Sequence, residues 1–139
     1  PLGASRRPLP FPAMASEVIK VCPCCGEPFT LQDIVFRRDI LPIGMLLEDD
    51  DLRHNFYYFN HLAPSCGTTF TIPVELLRAQ IVGEIPSERL SGTARCGRHC
   101  LDLADTGPCD RECAYAPYRR LLQYLKDVRR ADRASTPRI

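Results

Sequence analysis

The sequence has no apolar run approaching the ~18 residues a helix needs to span a bilayer, which excludes a transmembrane helix. It also lacks the apolar stretch of a secretory signal. Arg6 and Arg7 precede only a short segment interrupted by Pro8, Pro10 and Pro12. An excess of charge of one sign is missing too: eighteen Lys or Arg stand against seventeen Asp or Glu, a net charge of +1, so the chain as a whole exerts no strong pull on polyanions. There is no His-Glu-x-x-His, no Gly-x-Ser-x-Gly, no glycine loop for phosphate and no glycine-rich dinucleotide turn. These absences point away from an enzyme and leave no small-molecule substrate evident.

Against this background, eight Cys and thirteen Pro in 139 residues stand out. The hydrophobic share of 45% and charged share of 25% are ordinary for a folded chain. The length allows one domain or two very small ones. Residues 1–13, with four Pro and no periodicity, are expected to form a disordered leader or tag remnant, with Met14 as a natural start. A first folded unit is expected over 14–83, a Pro/Ser/Gly connector over 84–95, and a Cys-rich helical segment over 96–139.

Within the first unit, Val18, Ile19 and Val21 before the Cys-Pro-Cys-Cys-Gly turn and Glu27-Pro28-Phe29-Thr30 after it suggest strands on either side of a tight turn. Phe56-Tyr57-Tyr58-Phe59 is the strongest strand signal, and Thr68–Ile72 suggests its partner. The acidic run Glu48-Asp49-Asp50-Asp51 lacks the alternating oxygen ligands of a calcium loop and suggests a solvated one. Pro73 is placed to open a helix ending near Gly83. Tyr118, Leu121, Leu122, Leu125 and Val128 recur at helical spacing and predict a helix over 114–132 with a core-facing stripe.

Cys22-Pro23-Cys24-Cys25-Gly26 contains C-x-x-C followed by Gly. Two thiolates so spaced grip one ion when the chain curls beneath it, and the Gly permits the left-handed turn this requires. Cys66-Gly67 repeats the Cys-Gly element, and His61 stands five residues ahead of it. Cys22, Cys25, His61 and Cys66 therefore make a candidate Cys₃His site. Residues 18–72 resemble zinc-ribbon and treble-clef knuckles at the level of a motif, with the His-x4-Cys half as the departure from the usual pattern. Cys24 is left over, as an alternative ligand or a spare thiol.

Cys96-x3-Cys100 and Cys109-x3-Cys113 form a second set, separated by a stretch containing Gly107-Pro108. Positions i and i+4 of a helix face the same way, so two helical turns folded at Gly-Pro would gather four sulfurs. Three occupants remain open: a structural zinc, an iron–sulfur cluster, or paired disulfides, the last resembling the twin C-x3-C small mitochondrial import chaperones. His99 can replace Cys100 as a C-x-x-H ligand.

Expected, then, is a small α+β metal-stabilised fold: zinc-ribbon-like β-hairpins, a Cys-rich helical hairpin and a long C-terminal helix. Its cofactors would be Zn2+, two ions in all, with an iron–sulfur cluster as the alternative at the second site. Sites with four protein ligands leave no position for water and are structural. The expected function is a cytoplasmic adaptor or regulatory module, its thiols kept reduced. It would bind protein or nucleic acid and no membrane; the alternative is a redox or metal-handling protein. The nucleic-acid version rests on the last 29 residues, where eight basic residues face three acidic ones. Its candidate contacts are Arg119, Arg120, Lys126, Arg129, Arg130 and Arg133, with Tyr115, Tyr118 and Tyr124 as stacking partners.

Overall fold

The structure, a computed structural model, describes residues 17–47, 51–102 and 104–135. The expected leader over 1–13 and the acids Glu48, Asp49 and Asp50 lie outside the described residues. The fold is a small mixed α/β arrangement of two antiparallel sheets and one long helix. Strands β1 (Val18–Val21) and β2 (Pro28–Thr30) form a two-stranded hairpin, with the Cys22–Gly26 knuckle at its turn. Helix α1 (Leu31–Phe36) follows directly. Strands β3 (Ile40–Leu46), β4 (Phe56–His61) and β5 (Thr69–Pro73) form a three-stranded sheet in sequence order, and α2 (Ala116–Ser135) packs on β3 and α1.

Local chemistry fixes these elements. Helix α1 starts in a capping box: Asp33 N–H donates to Thr30 Oγ1 (3.1 Å) and Thr30 N–H donates to Asp33 Oδ2 (2.9 Å). Along β4 the period of two sends Tyr57, Phe59 and His61 inward, and the register sets Tyr57 against Ile72 and Phe59 against Phe70 on β5. Between Pro42 and Gly44 the β3–β4 register slips, where a residue without an N–H cannot serve a continuous ladder. The aromatic rings form a short stack, with Phe29 and Phe70 centroids 5.3 Å apart and Phe59 and Phe70 5.6 Å apart.

The segment after β5 is helical as the sequence predicts, but Val74–Gln80 forms a 3₁₀ helix, and Pro73 closes the strand instead of opening an α-helix. Its buried residues are Val74 and Leu77, three apart, the spacing that a 3₁₀ turn aligns on one face. The helical hairpin expected over 96–113 does not form. Among the described residues there, His99–Leu101 makes a single 3₁₀ turn and no other helix is present. Arg98 adopts a left-handed conformation (φ 68°), and Pro108 disfavours a helical Gly107 before it. The connector is not a gap between cores: Leu90 is buried, in one apolar cluster with Leu77, Cys109, Cys113 and Tyr115. Among the described residues, no helix is long and apolar enough to cross a membrane.

Helix α2 buries Tyr118, Leu121, Leu122 and Leu125 as the periodicity predicts. Two arginines share that inward face. Tyr57 Oη donates to the Tyr118 carbonyl (2.8 Å), joining β4 to the helix. Arg129, 3% exposed, donates from Nη2 to the Ile34 carbonyl (2.5 Å), from Nη1 to that of Val35, and from Nε to that of Ile40 (2.8 Å). Ile34 and Val35 lie in the last turn of α1, where carbonyls lack helical partners and favour a cation. Arg129 is thus the C-terminal cap of α1, supplied by another helix. Replacing it (Arg129→Met) strands these buried carbonyls and is expected to destabilise the fold by about 3 kcal/mol, measurable as a lowered midpoint in urea unfolding.

Candidate metal centre

The knuckle between β1 and β2 is held by its own backbone. Cys22 N–H donates to the Glu27 carbonyl (2.8 Å) and Gly26 N–H to the Cys22 carbonyl (3.0 Å), with Gly26 at φ 79°. Opposite it, β4 delivers His61 at its end, and the turn into β5 delivers Cys66 ahead of Gly67 at φ 115°. His61 N–H donates to the Thr68 carbonyl (2.8 Å) and Cys66 N–H to the Ala63 carbonyl (2.9 Å), closing this second turn.

The four donor atoms of Cys22, Cys25, His61 and Cys66 lie within 4.8 Å of one another and can hold a metal ion. Cys22 Sγ is 3.6 Å from Cys66 Sγ, and Cys25 Sγ is 3.6 Å from His61 Nδ1. Cys22 and His61 are buried, Cys66 is half-buried and Cys25 is exposed, so the cluster sits at the surface end of the core. The sulfurs accept backbone N–H bonds that favour their thiolates. The N–H of Thr68 is the main cause that brings Cys66 down to about 7. Burial opposes ionisation of Cys22, yet bonds from Cys25 and Cys24 N–H leave its thiol below the usual range. Cys24 is exposed, and contact with Cys66 pushes its thiol up, so it adjoins the cluster without belonging to the four.

A pair of carboxylates that the sequence does not advertise flanks the imidazole. His61 Nε2 lies 3.4 Å from both Glu27 Oε1 and Asp39 Oδ2. Arg37 joins the two carboxylates, reaching Glu27 at 2.7 Å and Asp39 at 2.6 and 2.9 Å. The guanidinium holds the Asp39 carboxyl below the usual carboxylate range. Phe29 meets the imidazole edge-on at 5.0 Å. A carboxylate on the far nitrogen fixes the tautomer and ring orientation of a ligating His. Glu27 lies 10 residues ahead of Arg37 and 12 ahead of Asp39 with no common motif, and only the fold brings the three to one imidazole.

The second set is arranged differently. Cys96, Cys100, Cys109 and Cys113 all line one small enclosed cavity with His99. Among the described residues, however, they do not close to within 4.8 Å of one another as the first four do. The helical turns meant to align them are absent, and all eight cysteines of the chain are free thiols, so the paired disulfides are not formed. Burial pushes the Cys100 thiol up, partly countered by the Arg119 guanidinium beside it.

Two of the six candidate nucleic-acid contacts are spent on the interior. Arg119 is fully buried, donating to the Gly107 carbonyl (2.9 Å) and to the carbonyl of Asp105, and Arg129 caps α1. Neither forms part of an exposed basic stripe. Lys126 donates to Thr106 Oγ1 (2.7 Å), and Arg120 is exposed; the side chains of Arg130 and Arg133 lie outside the described residues. Tyr115 and Tyr118 are buried, whereas Tyr124 is 47% exposed. The spacing of Arg129 from Tyr118, Leu122 and Leu125, on one helical face, was the signal that it points inward.

Cys66→Ser is expected to abolish metal retention at this centre, read as metal per chain after gel filtration. Arg37→Met keeps all four ligands but loosens the carboxylates behind His61, and is expected to weaken metal affinity by roughly 10–100-fold in a competition titration with a chromophoric chelator. Compared with known proteins, the chain matches no family model, no curated protein and no solved structure.

Proposed function

We propose that the protein is a zinc-stabilised adaptor module whose Cys22/Cys25/His61/Cys66 centre is structural and whose partner is another protein. The observation that carries this is the spacing of the donors. A tetrahedral zinc with bonds of about 2.3 Å to sulfur and about 2.05 Å to nitrogen has a sulfur–sulfur edge of about 3.8 Å and a sulfur–nitrogen edge of about 3.6 Å. The observed separations are 3.6 Å for Cys22–Cys66 and 3.6 Å for Cys25–His61. Three thiolates and an imidazole suit zinc, and four protein ligands leave no position for a reactive water. Two Gly-flanked turns, each ending a hairpin and facing the other across the ion, make a zinc-ribbon-like arrangement.

The hairpin gives the metal its structural weight. Val18 and Val21 of β1 are 54% and 53% exposed, so little apolar burial holds β1 to the rest of the chain, and a two-stranded hairpin is marginal alone. A bound ion ties it to the three-stranded sheet and can contribute ~10 kcal/mol or more to the folded state.

A protein partner is favoured over nucleic acid by the fate of the basic helix, whose Arg119 and Arg129 are interior. It is also favoured by an apolar groove of ≈ 630 Å³ between the 3₁₀ helix and α2, where Phe36, Val82 and Tyr124 are exposed. Elemental analysis of natively purified protein is expected to find zinc, and circular dichroism during chelation is expected to show strand content lost before the signal of α2. Protein free of bound metal, or unchanged by chelation, would overturn this reading, and iron in place of zinc would support the redox alternative. Binding to generic DNA or RNA at low salt, falling steeply as salt rises, would restore the nucleic-acid partner.

A further inference from the structure

The first centre leaves five of the eight cysteines and a second, half-buried carboxylate–imidazole pair unexplained by its four ligands. Cys24 adjoins it; the other four cysteines converge elsewhere. Cys96, Cys100, Cys109 and Cys113, together with His99, line an enclosed cavity of ≈ 10 Å³, about the space of one water-sized guest. That is room for a single ion-sized guest.

The chain around this cavity repeats the devices of the first centre. Arg98 N–H donates to Cys96 Sγ (3.3 Å) and Tyr115 N–H to Cys113 Sγ (3.5 Å), each from two residues downstream. At the first centre the N–H groups of Cys24 and Thr68 stand two residues beyond Cys22 and Cys66 and bond those sulfurs in the same way. Leu90 N–H adds a second bond to Cys113 Sγ (3.3 Å). Arg98, at φ 68°, makes the left-handed turn after Cys96 that Gly26 makes after Cys25.

A carboxylate flanks the imidazole here as well. His99 Nδ1 lies 2.9 Å from Asp105 Oδ2. Asp105 is itself held by the Gly107 N–H (3.0 Å) and by buried Arg119. An arginine–carboxylate–histidine relay thus recurs, with Arg119, Asp105 and His99 in the places of Arg37, Asp39 and His61. With Nδ1 committed to the carboxylate, Nε2 is the nitrogen left to ligate. It faces Cys109 across Gly97: a Cβ on that glycine would stand 3.5 Å from His99 Nε2 and 3.5 Å from Cys109 Sγ, so the lack of a side chain keeps the space between them open.

We infer that Cys96, His99, Cys109 and Cys113 form a second site for a single divalent ion of zinc's class, with Cys100 outside the ligand set. The donors stand wider apart than those of the first centre, so binding draws the 96–113 loop inward around the ion. The ligand set differs from the four-cysteine one that the twin C-x3-C spacing suggests, because Cys100 and His99 exchange roles.

Titration of the metal-free full chain with Co2+ under reducing conditions counts the sites, through the thiolate-to-cobalt absorption. Two equivalents are expected for the natural sequence and for Cys100→Ser; one is expected for Cys113→Ser and for His99→Ala, with the remaining one lost on adding Cys66→Ser. A natural chain that takes one equivalent, abolished by Cys66→Ser and indifferent to Cys113→Ser, would overturn the second site while leaving the first intact. Two equivalents in His99→Ala with one in Cys100→Ser would overturn the assignment of His99. Alkylation read by mass spectrometry is independent of whether the variants fold. In the natural chain, zinc is expected to slow labelling of Cys96, Cys109 and Cys113 at least tenfold and to leave Cys100 unchanged; equal rates for all four with and without zinc would overturn the inference.

Discussion

The contact on which the rest of this structure depends is the convergence of two turns from different sheets on one point. The Cys22–Gly26 knuckle belongs to a hairpin that contributes little to the core beyond Cys22 and Phe29. His61 and Cys66 belong to the sheet that forms much of it. Thiols at 3.6 Å across that junction repel as thiolates and gain little as neutral groups, so their close approach makes physical sense as the coordination shell of a cation. Removing the cation leaves the hairpin with a short ladder and exposed valines. On the proposed reading, the centre is both the candidate site and the tie between two sheets, through its position as much as its ligand count.

Arginine does much of the remaining work from inside. Three of the sixteen arginines act on backbone or carboxylate groups that the fold would otherwise leave without partners. Arg129 closes the end of α1, Arg119 holds the Gly107 and Asp105 carbonyls of the loop before α2, and Arg37 gathers the acids behind His61. A guanidinium offers five N–H donors in a rigid fork, enough to satisfy several carbonyls at once where an ammonium would satisfy fewer. The loop of described residues 104–115, with no strand or helix among them, is held to α2 by just such a donor. The basic character of the C-terminal segment is in part the internal wiring of an irregular fold.

The outward consequence concerns recognition. A helix that spends two of its arginines inward offers a polyanion less than its composition suggests. The groove between the 3₁₀ helix and α2, rimmed by Phe36, Val82 and Tyr124, offers an apolar partner more. On the proposed reading, a metal tie would hold such a groove in one shape and reduce the ordering cost of binding.

Much of this was legible in the residues themselves. Cys-x-x-Cys-Gly, a second Cys-Gly and a histidine at the end of an alternating strand identified the four donors, because chain curvature beneath an ion and the period of a strand are local properties. The α2 stripe was legible for the same reason. The helical hairpin read into the C-x3-C pairs was not correct: equal spacing permits a helix, but the left-handed Arg98 and the Gly107-Pro108 step forbid one. The direction of Arg119 and the pairing of Glu27 with Asp39 through Arg37 were decided by the tertiary structure alone. Each joins residues distant along the chain or on opposite sides of a turn, and which of several donors meets which acceptor depends on where packing places the backbone carbonyls and carboxylates. The sequence by itself determined which atoms can bind metal; only the folded chain decided which of them meet, because burial makes each unpaired polar group costly and leaves few arrangements that satisfy all of them.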